Sequence, residues 1–219
     1  MSELNTLISA FEHTLKDSNL QNITIDLAEV FTDTLMEESI AREIPIIGTV
    51  VGLGKTALGI KEFLFLKKII YFISELKNIS ATKRYEMIDK IDNSGKFRTK
   101  VGEKLLYIID KCDDHEKSQF IARMFAAFLC QKISYEDFLR SASIIDRTLL
   151  EDLIWVIGHD DFMYEELGDL VNSGMFNVNV VDQRDYDLKL PAAYKLEAHL
   201  SEIGNKIKDI LTISIENNV

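Results

Sequence analysis

The sequence predicts a mainly α fold: a helical bundle around one central apolar helix, followed by a small winged-helix-like module with a short β-ribbon. Three observations predict it. The 219 residues contain only two prolines and ten glycines, which suits a helical chain. Apolar residues recur at three- and four-residue spacing over the first 146 positions, the period of a helix with one buried face. After Asp146 the chain breaks into shorter apolar runs separated by Gly- and Asn-containing turns. The expected division is a bundle over 1–146 and a module over 147–219.

The first predicted helix runs from Glu3 to Lys16, with Leu4, Leu7, Ile8, Phe11 and Leu15 on its apolar face. Asp17-Ser18-Asn19 breaks it. Thr24 caps a second helix, from Ile25 to about Arg42, with Leu27, Val30, Phe31, Leu35 and Ile40 inward. Pro45 ends that helix, because its ring disfavours a helical conformation in the preceding residue. Ile44 to Gly54 carries no charge and reads as a Gly-rich loop. Proline does not fit a helix interior, and Gly48, Gly52 and Gly54 weaken regular structure.

Helical periodicity resumes at Lys55 and runs to about Lys77. Leu58, Phe65, Ile69, Phe72 and Leu76 form one stripe. Ile60, Phe63, Leu64, Leu66, Ile70 and Ile73 cover the other faces. A helix apolar nearly all round belongs in the centre of a bundle or against lipid. Lys55, Lys61, Glu62, Lys67 and Lys68 interrupt the run, which argues against a simple membrane span.

Ser80 caps a short helix through Met87 and Ile91, and Asn93-Ser94-Gly95 is a turn. The next helix runs from Lys96 to about Cys112. Asp113 or Asp114 starts another, which buries Phe120, Met124, Phe128 and Leu129. Ser134-Tyr135-Glu136-Asp137 has the form of a capping box and opens a helix through Phe138 and Ile144. In the module, Leu149–Ile157 and Asp161–Val171 read as short helices. Met175–Val181 and Tyr186–Leu190 read as strands. Pro191 opens a last helix containing Leu196, Leu200, Ile203 and Ile207.

The net charge of −11 excludes nucleic acid as the main partner, because phosphate binding needs a basic footprint. The charge is uneven. Residues 1–54 hold 2 Lys/Arg and 9 Asp/Glu, residues 55–111 hold 13 and 7, and residues 112–219 hold 10 and 20. The basic middle segment either pairs with its acidic flanks or faces an anionic membrane. Within the module, Asp161–Val171 carries Glu165, Glu166 and Asp169 and no basic residue. This suits a protein partner better than DNA. No secretory leader pattern is read at the start. Two cysteines, Cys112 and Cys130, fit no disulfide framework and indicate buried thiols in a reducing cytoplasm.

Two motifs invite chemistry. Gly52-Leu53-Gly54-Lys55-Thr56 imitates the end of a phosphate-binding loop, but the first glycine is Gly48 where position 49 is required. Leu105 to Asp110 imitates the apolar strand that such a fold places near Mg²⁺. His159-Asp160 could share a metal with His115, although no spacing is diagnostic and Asp is also favoured at helix starts. No cofactor or metal is expected.

The segment Val101-Gly102-Glu103-Lys104-Leu105-Leu106-Tyr107-Ile108-Ile109-Asp110, with Glu116-Lys117 and Ile133 to Phe138, resembles a group of uncharacterised bacterial helical proteins that also carry a Pro-Ile-Ile-Gly-like stretch. The resemblance covers about residues 40–155 and implies no activity or site. The expected function is therefore a non-enzymatic interaction protein with a protein partner or self-association through its acidic module. The alternative is a membrane-active bacterial effector for defence or toxicity that inserts the Ile44–Ile73 stretch into a bilayer, from a cytoplasmic position peripheral to the inner face of the membrane. Ile46, Ile47, Val50, Val51, Leu64, Lys67, Lys68 and Ile70 would make that contact, or the contact with a partner. A cryptic NTPase is the third reading.

Overall fold

A computed structural model describes residues 3–22, 44–53, 59–182 and 194–216. The chain is mainly helical, with one two-stranded antiparallel sheet near its C-terminus. It divides into two compact units, Met1–Phe138 and Leu139–Val219.

The first unit contains α1 (Glu3–Lys16), a 3-10 turn (Ser18–Asn22), α2 (Pro45–Leu53), α3 (Ile60–Ser74), α4 (Ala81–Asp92), α5 (Val101–Lys111) and α6 (His115–Leu129). Ile44–Gly54, expected as a loop, is instead helical over α2. Pro45 occupies the first helical position, where its missing N–H costs nothing and its fixed φ suits the helix. The N–H of Ile46 is also capped from another helix. Thr14 Oγ1, on α1, accepts it at 3.1 Å. Ile46, Ile47 and Val50 are consequently buried.

Helix α3 begins at Ile60, not at Lys55 as expected, because Gly59 is extended and occupies its N-cap position; residues 54–58 fall outside the described residues, as does the expected helix Ile25–Arg42 with its Thr24 cap. Its two halves differ. Leu66, Ile69, Ile70, Phe72 and Ile73 are buried. Phe72 lies between Phe11 of α1 and Phe125 of α6, at ring distances of 6.1 and 6.0 Å. The first turn is open: Ile60 is 80% exposed and Leu64 51%. Burial is most continuous in α6, where Phe120 through Phe125 are all buried. Ser118 at its start donates to the Lys68 carbonyl of α3 at 2.9 Å.

Local caps fall largely where the residues ask for them. Ser80 accepts the Lys83 N–H, and Asp114 accepts that of Glu116. Ser134 and Asp137 cap each other reciprocally at 3.0 and 3.2 Å, at the start of α7 (Tyr135–Arg147). Helix α5 begins at Val101 rather than Lys96, where the Asp92 carboxylate accepts the Val101 N–H at 2.8 Å.

The second unit contains most of α7, then α8 (Leu150–Gly158), a 3-10 turn (Tyr164–Glu166), α9 (Leu170–Ser173), β1 (Phe176–Asp182), β2 (Tyr194–Leu200) and α10 (Glu202–Glu216). The expected single helix Asp161–Val171 is divided. Gly168 adopts φ +49° and separates the 3-10 turn from α9. The expected strand Tyr186–Leu190 and Pro191 lie outside the described residues. Leu196 and Leu200, expected in the last helix, belong to β2, where Leu200 pairs with Phe176 and Leu196 with Val180. Leu196, Ala198 and Leu200 recur every second residue, the period of a strand. Trp155, Phe162 and Phe176 make an edge-to-face ladder at 5.5 and 5.0 Å. Ile207 and Leu211 of α10 are buried.

Candidate functional site

One concave feature among the described residues is an apolar cleft of about 730 Å³ in the first unit. Leu7 and Ile8 of α1, Val50 of α2, Phe65 of α3 and Leu106 of α5 form its apolar lining. Val50 and Leu106 are otherwise buried, while Leu7, Ile8 and Phe65 are half-buried. Tyr107, 67% exposed, and Leu4, 62% exposed, stand at its mouth. A volume of this size lies within the range of ligand sites (about 300–1,000 Å³). Several large apolar side chains left in water at one place also mark contact surfaces.

The rim is charged. Glu3, Glu62, Glu103 and Asp110 line it together with Lys61 and Lys104. Glu103, Tyr107 and Asp110 are four and three residues apart and so share one face of α5. The Lys104 ammonium lies 5.6 Å from the Tyr107 ring centroid, a cation–π distance. The cleft holds apolar contact area and a ring of charge.

The residues expected to touch membrane or partner are sorted by the fold. Ile46, Ile47, Val50 and Ile70 are buried, Val51 is half-buried and Leu64 is exposed. Lys68 donates to the carbonyls of Asp110 and Cys112 at 2.7 and 2.9 Å, closing the C-terminal end of α5. Lys67 lies beside the Tyr71 ring, 6.0 Å from its centroid. In the nucleotide-like motif, Gly52 sits exposed in α2, so a helix stands where a phosphate loop needs a strand. Gly54, Lys55 and Thr56 fall outside the described residues. Leu105–Asp110 is helical, in α5.

His115 packs edge-on against Tyr71 at 4.5 Å, with Nδ1 3.4 Å from Asp114. Burial, then the nearby Lys67, pulls its pKa below the ordinary histidine value, and burial followed by Glu116 and Asp114 raises that of Tyr71. His159, in the second unit, stacks on Trp155 and contacts its carbonyl through Nδ1 at 2.8 Å. Asp160 pairs with Lys208 of α10 at 2.8 Å. Its hydrogen bond with Lys208 holds its carboxyl below the usual range. Among the described residues no group of three or more His, Cys, Asp or Glu is placed to hold a metal. Glu165, Glu166 and Asp169 are all exposed. Cys112 is buried, while Cys130, expected buried, is half-buried at the C-terminal end of α6.

The sequence marks none of Glu3, Glu62, Glu103 and Tyr107 as cleft residues, and marks Asp110 only as the end of a strand-like run. One signal was present: Tyr107 is a large aromatic on the otherwise polar face of α5. No protein-family model, curated protein or solved structure matches this chain.

Proposed function

We propose that this protein is a non-enzymatic helical interaction protein, and that its first unit binds an apolar segment of a protein partner in the cleft. One observation carries the reading: among the described residues, Leu7, Ile8, Phe65 and Leu106, from three helices, line an open apolar cleft. An amphipathic helix laid into an apolar groove meets this shape with side chains at helical spacing. The two-stranded sheet of the second unit supports reading it as a winged-helix-like module, and the exposed Glu165, Glu166 and Asp169 support an acidic contact surface on it.

The test is a titration of the protein with an amphipathic helical peptide whose apolar face is Leu and whose flanks are Gln. The expected result is saturable binding that Leu7→Asp removes while the far-UV spectrum stays helical. Leu7 is only half-buried, so the change is placed at the lining rather than in the core. Absence of binding, or binding that Leu7→Asp leaves unchanged, counts against the reading.

A second reading is peripheral attachment to an anionic membrane. It rests on Ile60, Phe63 and Leu64, all exposed on the first two turns of α3 beside Lys61 and Lys67. Apolar side chains flanked by lysine suit an anionic interface. No helix among the described residues is long and apolar enough to cross a membrane. Flotation with anionic and neutral vesicles decides this reading. Leu64→Asp should abolish anionic-vesicle binding if it holds, and leave the Gln-flanked peptide titration unchanged.

A further inference from the structure

The cleft rim is acidic within a segment that is otherwise basic. Residues 55–111 carry thirteen Lys/Arg and seven Asp/Glu. Of those seven acids, Glu62, Glu103 and Asp110 line the cleft; of the bases among the described residues, Lys61 and Lys104 line it. Glu3, from α1, adds a fourth carboxylate. The rim therefore opposes the trend of its own segment. With Glu3 the cleft carries four carboxylates and two ammonium groups.

The position of these charges matters. Glu103 and Asp110 are two turns apart on α5 and bracket Tyr107. Glu62 faces the same cleft from α3 and Glu3 from α1, so carboxylates stand on three of the contributing helices. Lys104 is held over Tyr107 on the α5 wall. Glu62, Glu103 and Asp110 are exposed, so their charges are fully hydrated before binding, and a partner need not strip them of water to feel them. Charges placed on a rim act on partner choice and approach more than on total affinity.

Resting on the reading of the cleft as a partner-binding groove, we infer that its occupant is an amphipathic helix whose apolar face is flanked by Lys or Arg. The apolar lining accepts Leu-, Ile- or Phe-type side chains. The carboxylates then meet basic residues at the borders of the occupant's apolar stripe. A helix with acidic borders meets like charge on three sides and is disfavoured. The same sign works against an anionic lipid surface at this cleft.

The experiment uses the full chain and three peptides of identical apolar face, with Lys, Gln or Glu flanks. A fourth peptide keeps the Lys flanks and scrambles the apolar order. At low ionic strength the Lys-flanked peptide is expected to bind about tenfold tighter than the Glu-flanked one, with the Gln-flanked peptide between. At about 0.5 M salt the difference should shrink to about twofold, because exposed charges are screened. The triple variant Glu62→Lys, Glu103→Lys, Asp110→Lys should reverse the order of the Lys- and Glu-flanked peptides. Equal binding of Lys- and Glu-flanked peptides overturns this inference and leaves the cleft reading standing, provided the Gln-flanked peptide binds. So does a preference that survives the triple reversal. Binding of the scrambled peptide as tightly as the ordered one shows nonspecific charge attraction and overturns the inference. Failure of every peptide overturns the cleft reading itself.

Discussion

The Nε of Arg84 donates to the Leu15 carbonyl at 2.8 Å, tying α4 to the C-terminal end of α1. The same guanidinium also donates to the carbonyls of Leu76, Ile79 and Asp17. Arg84 is fully buried, and burial pulls its pKa below the ordinary guanidinium value. Its five N–H groups in a rigid fork suit it to close two chain ends at once. Arg84→Met should leave several carbonyls without donors and cost about 3–4 kcal/mol. Arg84→Lys should cost less, because one ammonium still reaches some of them. Urea denaturation checks both, and equal stability of Arg84→Met and the native protein would refute this account of the joint.

Thr14 holds the other remote joint. Its hydroxyl donates to Ala10 at 3.0 Å and accepts the Ile46 N–H at 3.1 Å. Thr14→Val keeps the shape and removes the acceptor. The expected loss is about 1–2 kcal/mol, the size of a lost helix cap. Hydrogen exchange should show the Ile46 amide losing protection first.

In the second unit, Gly204 packs against backbone. A Cβ there would lie 2.2 Å from the Met175 carbonyl oxygen, and backbone cannot yield as a side chain can. Gly204→Ala is therefore expected to destabilise this unit by about 1–3 kcal/mol, although alanine is the better helix former. A gain in stability would show that α10 moves freely away from Met175.

His115 gives the fold a pH dependence. Its folded pKa lies below the ordinary 6.5 because of burial and then Lys67. The unfolded chain thus takes up the proton at higher pH than the folded one. Stability should be unaffected by this group above about pH 6.5 and should fall as pH drops from there through the folded pKa. Thermal melts at about pH 7 and about pH 5 should show a smaller difference for His115→Gln than for the native protein. An identical difference would remove His115 from the explanation.

Much of the helical fold was legible because its signals are local. Ser80, Asp114 and the Ser134–Asp137 pair are read within four residues of the helices they cap. The misread elements depend on partners far away in sequence. Pro45–Leu53 is helical with Thr14, thirty-two residues upstream, supplying a cap. Leu196 and Leu200 suit a helix stripe as well as a strand, and pairing with β1 decides between them. The split at Gly168 turns on a positive φ, which a lone glycine allows without requiring.

The cleft was harder to read than the elements around it. Leu7, Phe65 and Leu106 look like ordinary core residues in sequence, and only the structure shows them lining an opening. Asp110 imitates in sequence the end of a Mg²⁺-binding strand, and Glu103 carries no signal of its own. Tyr107, exposed between them, was the one local hint.

The most direct test of the central claim is a methyl NMR titration of the full protein with the Lys-flanked amphipathic peptide. The account predicts that shifts concentrate on Leu7, Ile8, Val50 and Leu106, whose methyls line the cleft. Shifts confined to Val178, Val180 and Leu196 of the β-ribbon, or no shifts at saturating peptide, would contradict it.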